Sequence, residues 1–156
     1  MNPGEKPWEE SKIRAYLNNE FYNSFGQDKS RIEDTKVITG SNPWSNYGYG
    51  KKNVDTVNDK IFLLSIEEVV QYFGESGALK SRKELAGAIH DQFNAARIAK
   101  DEETGRARIW CLRSPGSSWP FACISYIGQL NIDGKGSSSE TGIRPALWLD
   151  DIPHCK

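Results

Sequence analysis

Three consecutive stretches decide how this chain is read: W-C-L-R-S-P-G at 110–116, F-A-C-I-S-Y-I-G-Q-L-N-I-D-G-K-G-S-S-S-E-T at 121–141, and G-I-R-P-A-L-W-L at 142–149. Each outer block sets an Arg beside Pro or Ser-Pro, with a Trp within a few residues. That is the composition of packed strands ending in fixed turns. Trp110, Arg113, Arg144 and Trp148 are therefore expected to be structural. The two arginines should bond to backbone or to buried acids, because a buried guanidinium must be paired. The middle block alternates. Ala122, Ile124, Leu130 and Ile132 are apolar, while Cys123, Ser125, Gln129, Asn131, Asp133 and Lys135 are small, polar or charged, which predicts a half-buried ribbon. Ile127-Gly128 supplies its turn, with Gly able to take a positive φ. The outward face is then free for display over 117–141. Its candidate ligand-binding residues are Ser117, Ser118, Trp119, Phe121, Cys123, Ser125, Tyr126, Gln129, Asn131, Asp133 and Lys135.

Outward from that block, 8–25 carries Ile13, Leu17, Phe21 and Phe25 at spacings of four, with Glu9 and Glu10 where a first helical turn favours acids. This predicts an amphipathic helix that Gly26 stops, with Asn18-Asn19 unusual at its middle. A helical turn is expected over 28–32 and a β-branched strand over 35–39. The Gly-, Asn-, Ser- and Tyr-rich run 40–59 reads equally as a long loop, a frequent carrier of function, and as a disordered insertion, since aromatic content alone does not decide. Residues 61–64 form a short apolar run, hence a buried strand. Ser65 to Glu68 is an S-x-x-E capping box opening a helix through Phe73 that Gly74 closes, and capping accounts for both polar residues without catalysis. A second S-x-x-E, Ser81 to Glu84, precedes Leu85, Ile89, Phe93 and Ala96, predicting another helix to about Ala99. His90 has no second His nor carboxylate at metal-ligand spacing and reads as a surface residue. Residues 100–106 form a charged hairpin or loop.

With 156 residues, 20 basic and 21 acidic side chains and a mean hydropathy of −0.63, a single globular domain over 1–156 is expected. The scattered, nearly balanced charge supplies no electrostatic pull toward nucleic acid or anionic lipid. No apolar run approaches membrane-spanning length, so no membrane insertion is expected, and the start lacks a signal-peptide pattern. Cellular location stays open between the cell surface or a phage-associated setting, if the domain belongs to an exported protein, and the cytoplasm. Cys111, Cys123 and Cys155 are an odd number without C-x-x-C spacing, which argues for free thiols.

The blocks W-E-E-S-K-I-R-A-Y-L-N at 8–18, D-K-I-F-L-L-S at 59–65, W-C-L-R-S-P-G and G-I-R-P-A-L-W occur in this order. Together they resemble a bacterial family of unknown function, common in gut Firmicutes, with the pattern W-x-x-S-x-I-R-x-W-L-N, D-K-x-F-L-L-S, W-W-L-R-S-P-G and G-V-R-P-A-L-W. That family looks like a branch of the C-type-lectin-like superfamily, related to the variable proteins of diversity-generating retroelements and distantly to formylglycine-generating enzymes. The resemblance implies an α+β C-type-lectin-like fold: two main helices packed on a twisted antiparallel sheet with long loops. It also implies that the segment between the two Arg blocks is the binding face. Ser117, Ser118, Phe121, Cys123, Ser125, Tyr126, Asn131, Asp133 and 137–139 are types an adenine-mutated Asn codon can produce; Trp119, Gln129 and Lys135 are reached less easily. Cys111 stands where the family has a second Trp, and Tyr16 where Trp is common. The family also begins with a strand pair ahead of W-x-x-S that this chain is expected to lack, its edge completed by a neighbouring subunit if by anything.

The leading expectation is a recognition module binding a protein or glycan, since Tyr, Trp, Ser and Asn combine rigid contact area with adaptable hydrogen bonding. No catalytic residues and no cofactor are expected. Calcium-dependent sugar binding would need motifs such as E-P-N and W-N-D, which do not occur, and no metal site is expected. The alternatives are a formylglycine-generating-enzyme-like oxidoreductase, for which Cys111 and Cys123 are the candidate pair, and a structural or assembly domain of a surface or phage-related protein, recognisable as a homo-oligomer. No Ser-His-Asp set, H-E-x-x-H or P-loop is present. The ribbon's alternation puts Cys123 outward and leaves Cys111 beside Trp110.

Overall fold

A computed structural model describes residues 8–44, 55–81, 88–116, 121–134 and 141–150. The 8–25 stretch is helical, as its apolar spacing predicts, but not uniform. A 3-10 turn (Trp8–Glu10) leads to Ser11, whose hydroxyl accepts the Arg14 N–H at 3.1 Å and so caps α1 (Lys12–Tyr16). A π turn (Leu17–Phe21) follows, then α2 (Tyr22–Ser24), before Gly26, at φ +59°, opens a 3-10 stretch (Gly26–Arg31). The π turn explains the mid-helix asparagines. Asn18 Nδ2 donates to the Ile61 carbonyl at 2.8 Å, and its Oδ1 accepts the N–H groups of Lys60 and Ile61 at 2.7 and 3.1 Å. A side chain that competes for backbone partners is costly inside a regular helix; where the ladder widens, it ties the helix to another segment.

Strands β1 (Thr35–Thr39) and β2 (Asp55–Asp59) pair antiparallel with Val37 opposite Val57. The end of the expected 40–59 loop is thus a strand. D-T-V-N-D has little intrinsic strand preference, and pairing with β1 overrides it. At its end, buried Asp59 accepts the Trp8 indole N–H at 2.9 Å and Arg14 Nε at 2.7 Å, locking the helical stretch to the hairpin.

β3 (Phe62–Leu63) pairs with β10 (Pro145–Ala146) in a second antiparallel sheet. The capping box forms as predicted. Ser65 Oγ accepts the Glu68 N–H at 3.2 Å, Glu68 Oε2 accepts the Ser65 N–H at 2.9 Å, and α3 (Ile66–Phe73) ends at Gly74, φ +83°. A short helix, α4 (Ala78–Ser81), follows. Most of the second S-x-x-E motif lies outside the described residues. Its expected helix does not reach Ala99: Ala88–Ile89 form strand β4, and one turn, α5 (Asn94–Arg97), comes after. The 3.6-residue spacing of Ile89 and Phe93 misleads because buried Ile89 pairs with Leu130, while Asp91 Oδ1 and Asn94 Oδ1 take up the N–H groups of Phe93 and Asp91, both at 3.0 Å, in a turn. β5 (Ala99–Lys100) and β6 (Ala107–Arg108) make the expected charged hairpin, with Gly105 at φ +67°.

β7 (Trp110–Pro115), β8 (Phe121–Ile124) and β9 (Leu130–Asn131) complete a four-stranded antiparallel sheet in the order β4-β9-β8-β7. Its inner side chains, Trp110, Leu112, Ala122, Ile124, Leu130 and Ile132, join Trp8, Leu17, Ile61, Leu63, Ile66 and Val69 in one core. The architecture is mixed α+β, with several antiparallel sheets and few helices. Among the described residues no helix is long and apolar enough to cross a membrane.

Candidate functional site

The two Arg blocks on either side of 117–141 lie side by side. Trp110 forms a parallel bridge with Gly142, with Cys111 N–H donating to the Gly142 carbonyl at 3.2 Å and Gly142 N–H to that of Ile109 at 2.8 Å. Arg113, 4 % exposed, fills every direction around it. Nε donates to the Ile38 carbonyl at 3.0 Å, Nη1 to that of Leu63 at 2.7 Å, and Nη1 and Nη2 fork onto Glu68 at 2.5 and 2.7 Å. Glu68 is also the capping-box acid, so one carboxylate joins β7 to the start of α3. Beside this pair lies a cleft of about 330 Å³ whose walls include Lys36, Gly40, Ser41, Glu67 and Arg113.

The expected alternation of the ribbon does not occur. Phe121, Cys123, Ser125 and Asn131 are all buried, at 7, 5, 8 and 9 % exposure, along with Ala122 and Ile124. Period-two patterning predicts only that the two faces differ in chemistry; here the polar face is covered as well. At the tip, Asn94 of α5 donates from Nδ2 to the Ile127 carbonyl at 3.2 Å, and Gly128 sits so close that a Cβ would lie 1.9 Å from the Asn94 carbonyl oxygen. Gly128, at φ +79°, does supply the predicted turn, and Ser125 N–H bonds the Gln129 carbonyl across it at 2.9 Å.

At the other end of β8, Asn42 Nδ2 donates to the Pro115 carbonyl at 2.5 Å and to the Ile132 carbonyl at 2.9 Å. Pro115 pairs with Phe121. The root of 117–120, the end of β9 and the start of the 40–59 loop therefore meet at one point. The structure thereby divides the expected contact residues. Ser117, Ser118, Trp119 and Lys135 lie outside the described residues, but the segments holding them start here, as does half-buried Asp133. Exposed Tyr126 and half-buried Gln129, whose Nε2 is 3.0 Å from His90 Nδ1, sit at the opposite end, about 13 Å away at the rise of a strand.

Cys111 and Cys123 face one another across β7 and β8. Cys123 is buried, not outward, and Cys111 is half-buried. Burial pushes the Cys111 thiol up to about 12, with Cys123 adding in the same direction, so it stays protonated at neutral pH. Among the described residues no three His, Cys, Asp or Glu side chains converge as a metal would require.

Two expected structural residues differ from expectation. Arg144 donates no hydrogen bond among the described residues; its guanidinium stands over the rings of Phe73 at 4.8 Å and Trp110 at 5.2 Å. Trp148 is not a core residue. It is half exposed and meets Tyr72 edge to face at 6.5 Å. Trp110 is buried, its indole N–H on the Arg97 carbonyl at 3.0 Å. Sequence reasoning missed Asn42, Asn94 and the buried Asp91–Arg97 pair, which is 2.9 Å apart. Their only local signal is the preference of Asn and Asp for turns.

The described residues thus form a mixed α+β domain of several antiparallel sheets and few helices. The chain belongs to a family described as a domain of unknown function, DUF6273, whose model matches residues 1–151. No curated protein and no solved structure matches it.

Proposed function

We propose that this domain is a non-enzymatic recognition module of C-type-lectin-like architecture, similar to the variable proteins of diversity-generating retroelements, that binds a protein or glycan. The observation that supports this reading is the double hydrogen bond of Asn42. One buried side chain holds the roots of two sequence-separated segments beside a third, and a rigid frame under polar loops is how recognition surfaces are commonly built. The contact set narrows accordingly. Cys123, Ser125 and Asn131 belong to the frame. The ligand meets Ser117, Ser118, Trp119, Asp133, Lys135 and the loop after Trp44.

The test is a protein and glycan array probed with the full chain, followed by variants against any captured ligand. Trp119→Ala and Lys135→Ala should each weaken binding about tenfold with an unchanged melting temperature, while Tyr126→Ala, at the far end, should leave it intact. Binding that survives both changes and fails with Tyr126→Ala would move the site to the hairpin tip.

A second reading, a formylglycine-generating-enzyme-like oxidoreductase, is favoured by the facing Cys111 and Cys123. Two soft thiolates suit a copper(I) ion in donor type, although burial opposes the thiolate form. Stoichiometric copper(I) uptake that disappears in both Cys111→Ser and Cys123→Ser would support it.

A further inference from the structure

The groove between α3 and β10 lies apart from the loops assigned above and has a distinct chemistry. It holds about 300 Å³ and is walled by Phe62, Leu64, Tyr72, Phe73 and Trp148, with Arg144 the cation among them. We propose that it binds a small organic carboxylate with a flat apolar body, the acid group paired with Arg144.

Three observations carry this. The first is the state of Arg144. The fully buried arginines among the described residues have carboxylate partners: Arg113 has Glu68, and Arg97 has Asp91, whereas Arg144 is half-buried. Arg144 has only aromatic faces, and its Nη1 is buried without an acceptor. Stacking leaves the Nε–Nη2 edge of the guanidinium without an acceptor among the described residues, and it is this edge, not the inaccessible Nη1, that can meet a carboxylate in two parallel hydrogen bonds. The second is the exposure of the walls. Tyr72 and Trp148 leave 48 and 50 % of their surface in water while touching each other edge to face, so an apolar ring inserted there covers both. The third is size. A volume near 300 Å³ lies at the lower end of small-molecule sites, which commonly run from about 300 to 1,000 Å³, and this favours one ring and a short acid arm over a macromolecule.

The probe is phenylacetate, with phenylacetamide as its neutral analogue of the same shape, titrated into the full chain by calorimetry and by NMR of the Trp148 indole N–H, a signal assigned by its loss in Trp148→Phe. Saturable binding of the acid, about tenfold or more tighter than the amide, is expected, since the amide cannot form the charge-assisted pair. The same loss is expected in Arg144→Gln. Because Arg144 also packs on Trp110, the exposed Tyr72→Ala supplies a second test: it should weaken the acid while leaving the melting temperature in place. Equal binding of acid and amide would overturn the proposal. So would unchanged affinity in both Arg144→Gln and Tyr72→Ala, or no saturation by about 10 mM acid, beyond which affinity is too weak for a built site. Tighter binding of a peptide ending in a phenylalanine carboxylate than of phenylacetate would reassign the groove to a protein tail and overturn the small-acid form.

Discussion

The two arginines that bracket the central hairpin look alike in sequence, yet they sit in opposite situations. Arg113 makes two bonds to Glu68 and one each to the carbonyls of Leu63 and Ile38. Arg144, 31 positions later and also followed closely by Pro, holds its place on the rings of Phe73 and Trp110 without an acceptor. The first joins three elements and spends its donors doing so. The second packs its faces and keeps its donors. A guanidinium can be buried by hydrogen bonding or by stacking, and only the first leaves nothing over for a ligand.

The largest effect is expected at Arg113. Arg113→Ala strands the Glu68 carboxylate and two carbonyls, so denaturant unfolding should report a loss of about 3 kcal/mol. Arg113→Lys should recover only part of it, because an ammonium group cannot reproduce the fork. A loss below about 1 kcal/mol for the Ala variant would mean that the pair contributes no more than a surface bridge.

The buried pair of Arg97 and Asp91 tests the same idea through pH. Burial disfavours the ionised Asp91, but the hydrogen bond from Arg97, backbone N–H groups of Phe93 and Ser76 and the Arg97 charge outweigh it, holding the carboxyl below its ordinary 3.8. A carboxyl depressed by folding adds stability that is fully present above its unfolded value and is lost as pH falls through the lower folded value. Asp91→Asn should therefore cost about 2 kcal/mol at neutral pH, and its gap from the wild type should stay flat down to about pH 4 and then close. A gap that widens toward acid would give the shift the opposite sign.

The smallest effect is expected at Arg144. Arg144→Met keeps an unbranched chain over the rings and loses only the cation's attraction, about 1 kcal/mol in thermal unfolding. A loss as large as that of Arg113→Ala would erase the distinction between the two residues.

What could be read along the chain was whatever closes within a few residues. The capping box of Ser65 and Glu68, the stops at Gly26 and Gly74, and the turn at Gly128 each depend on a neighbour three or four positions away or on the backbone freedom of one glycine. Where the outcome turned on which distant residue lies opposite, the local signal could mislead. Ile89 has helical spacing to Phe93 but belongs to a strand because Leu130 lies opposite. The polar face of 121–131 was expected outside because alternation carries no information on how many layers cover a sheet. Asn42 could not be singled out, since the carbonyls it holds are 73 and 90 positions away.

Local chemistry thus settled the capping box of α3, the glycine stops and the turn at Gly128, while the mixed helical and antiparallel character was what the family resemblance implied. Tertiary packing alone decided which arginine is saturated and which is left without an acceptor, that both faces of β8 are buried, and that Asn42 ties the carbonyls of Pro115 and Ile132 together. The physical reason is range. Caps and turns satisfy their hydrogen bonds locally, whereas burial, ion pairing and the shape of a groove depend on groups that only the folded chain brings together.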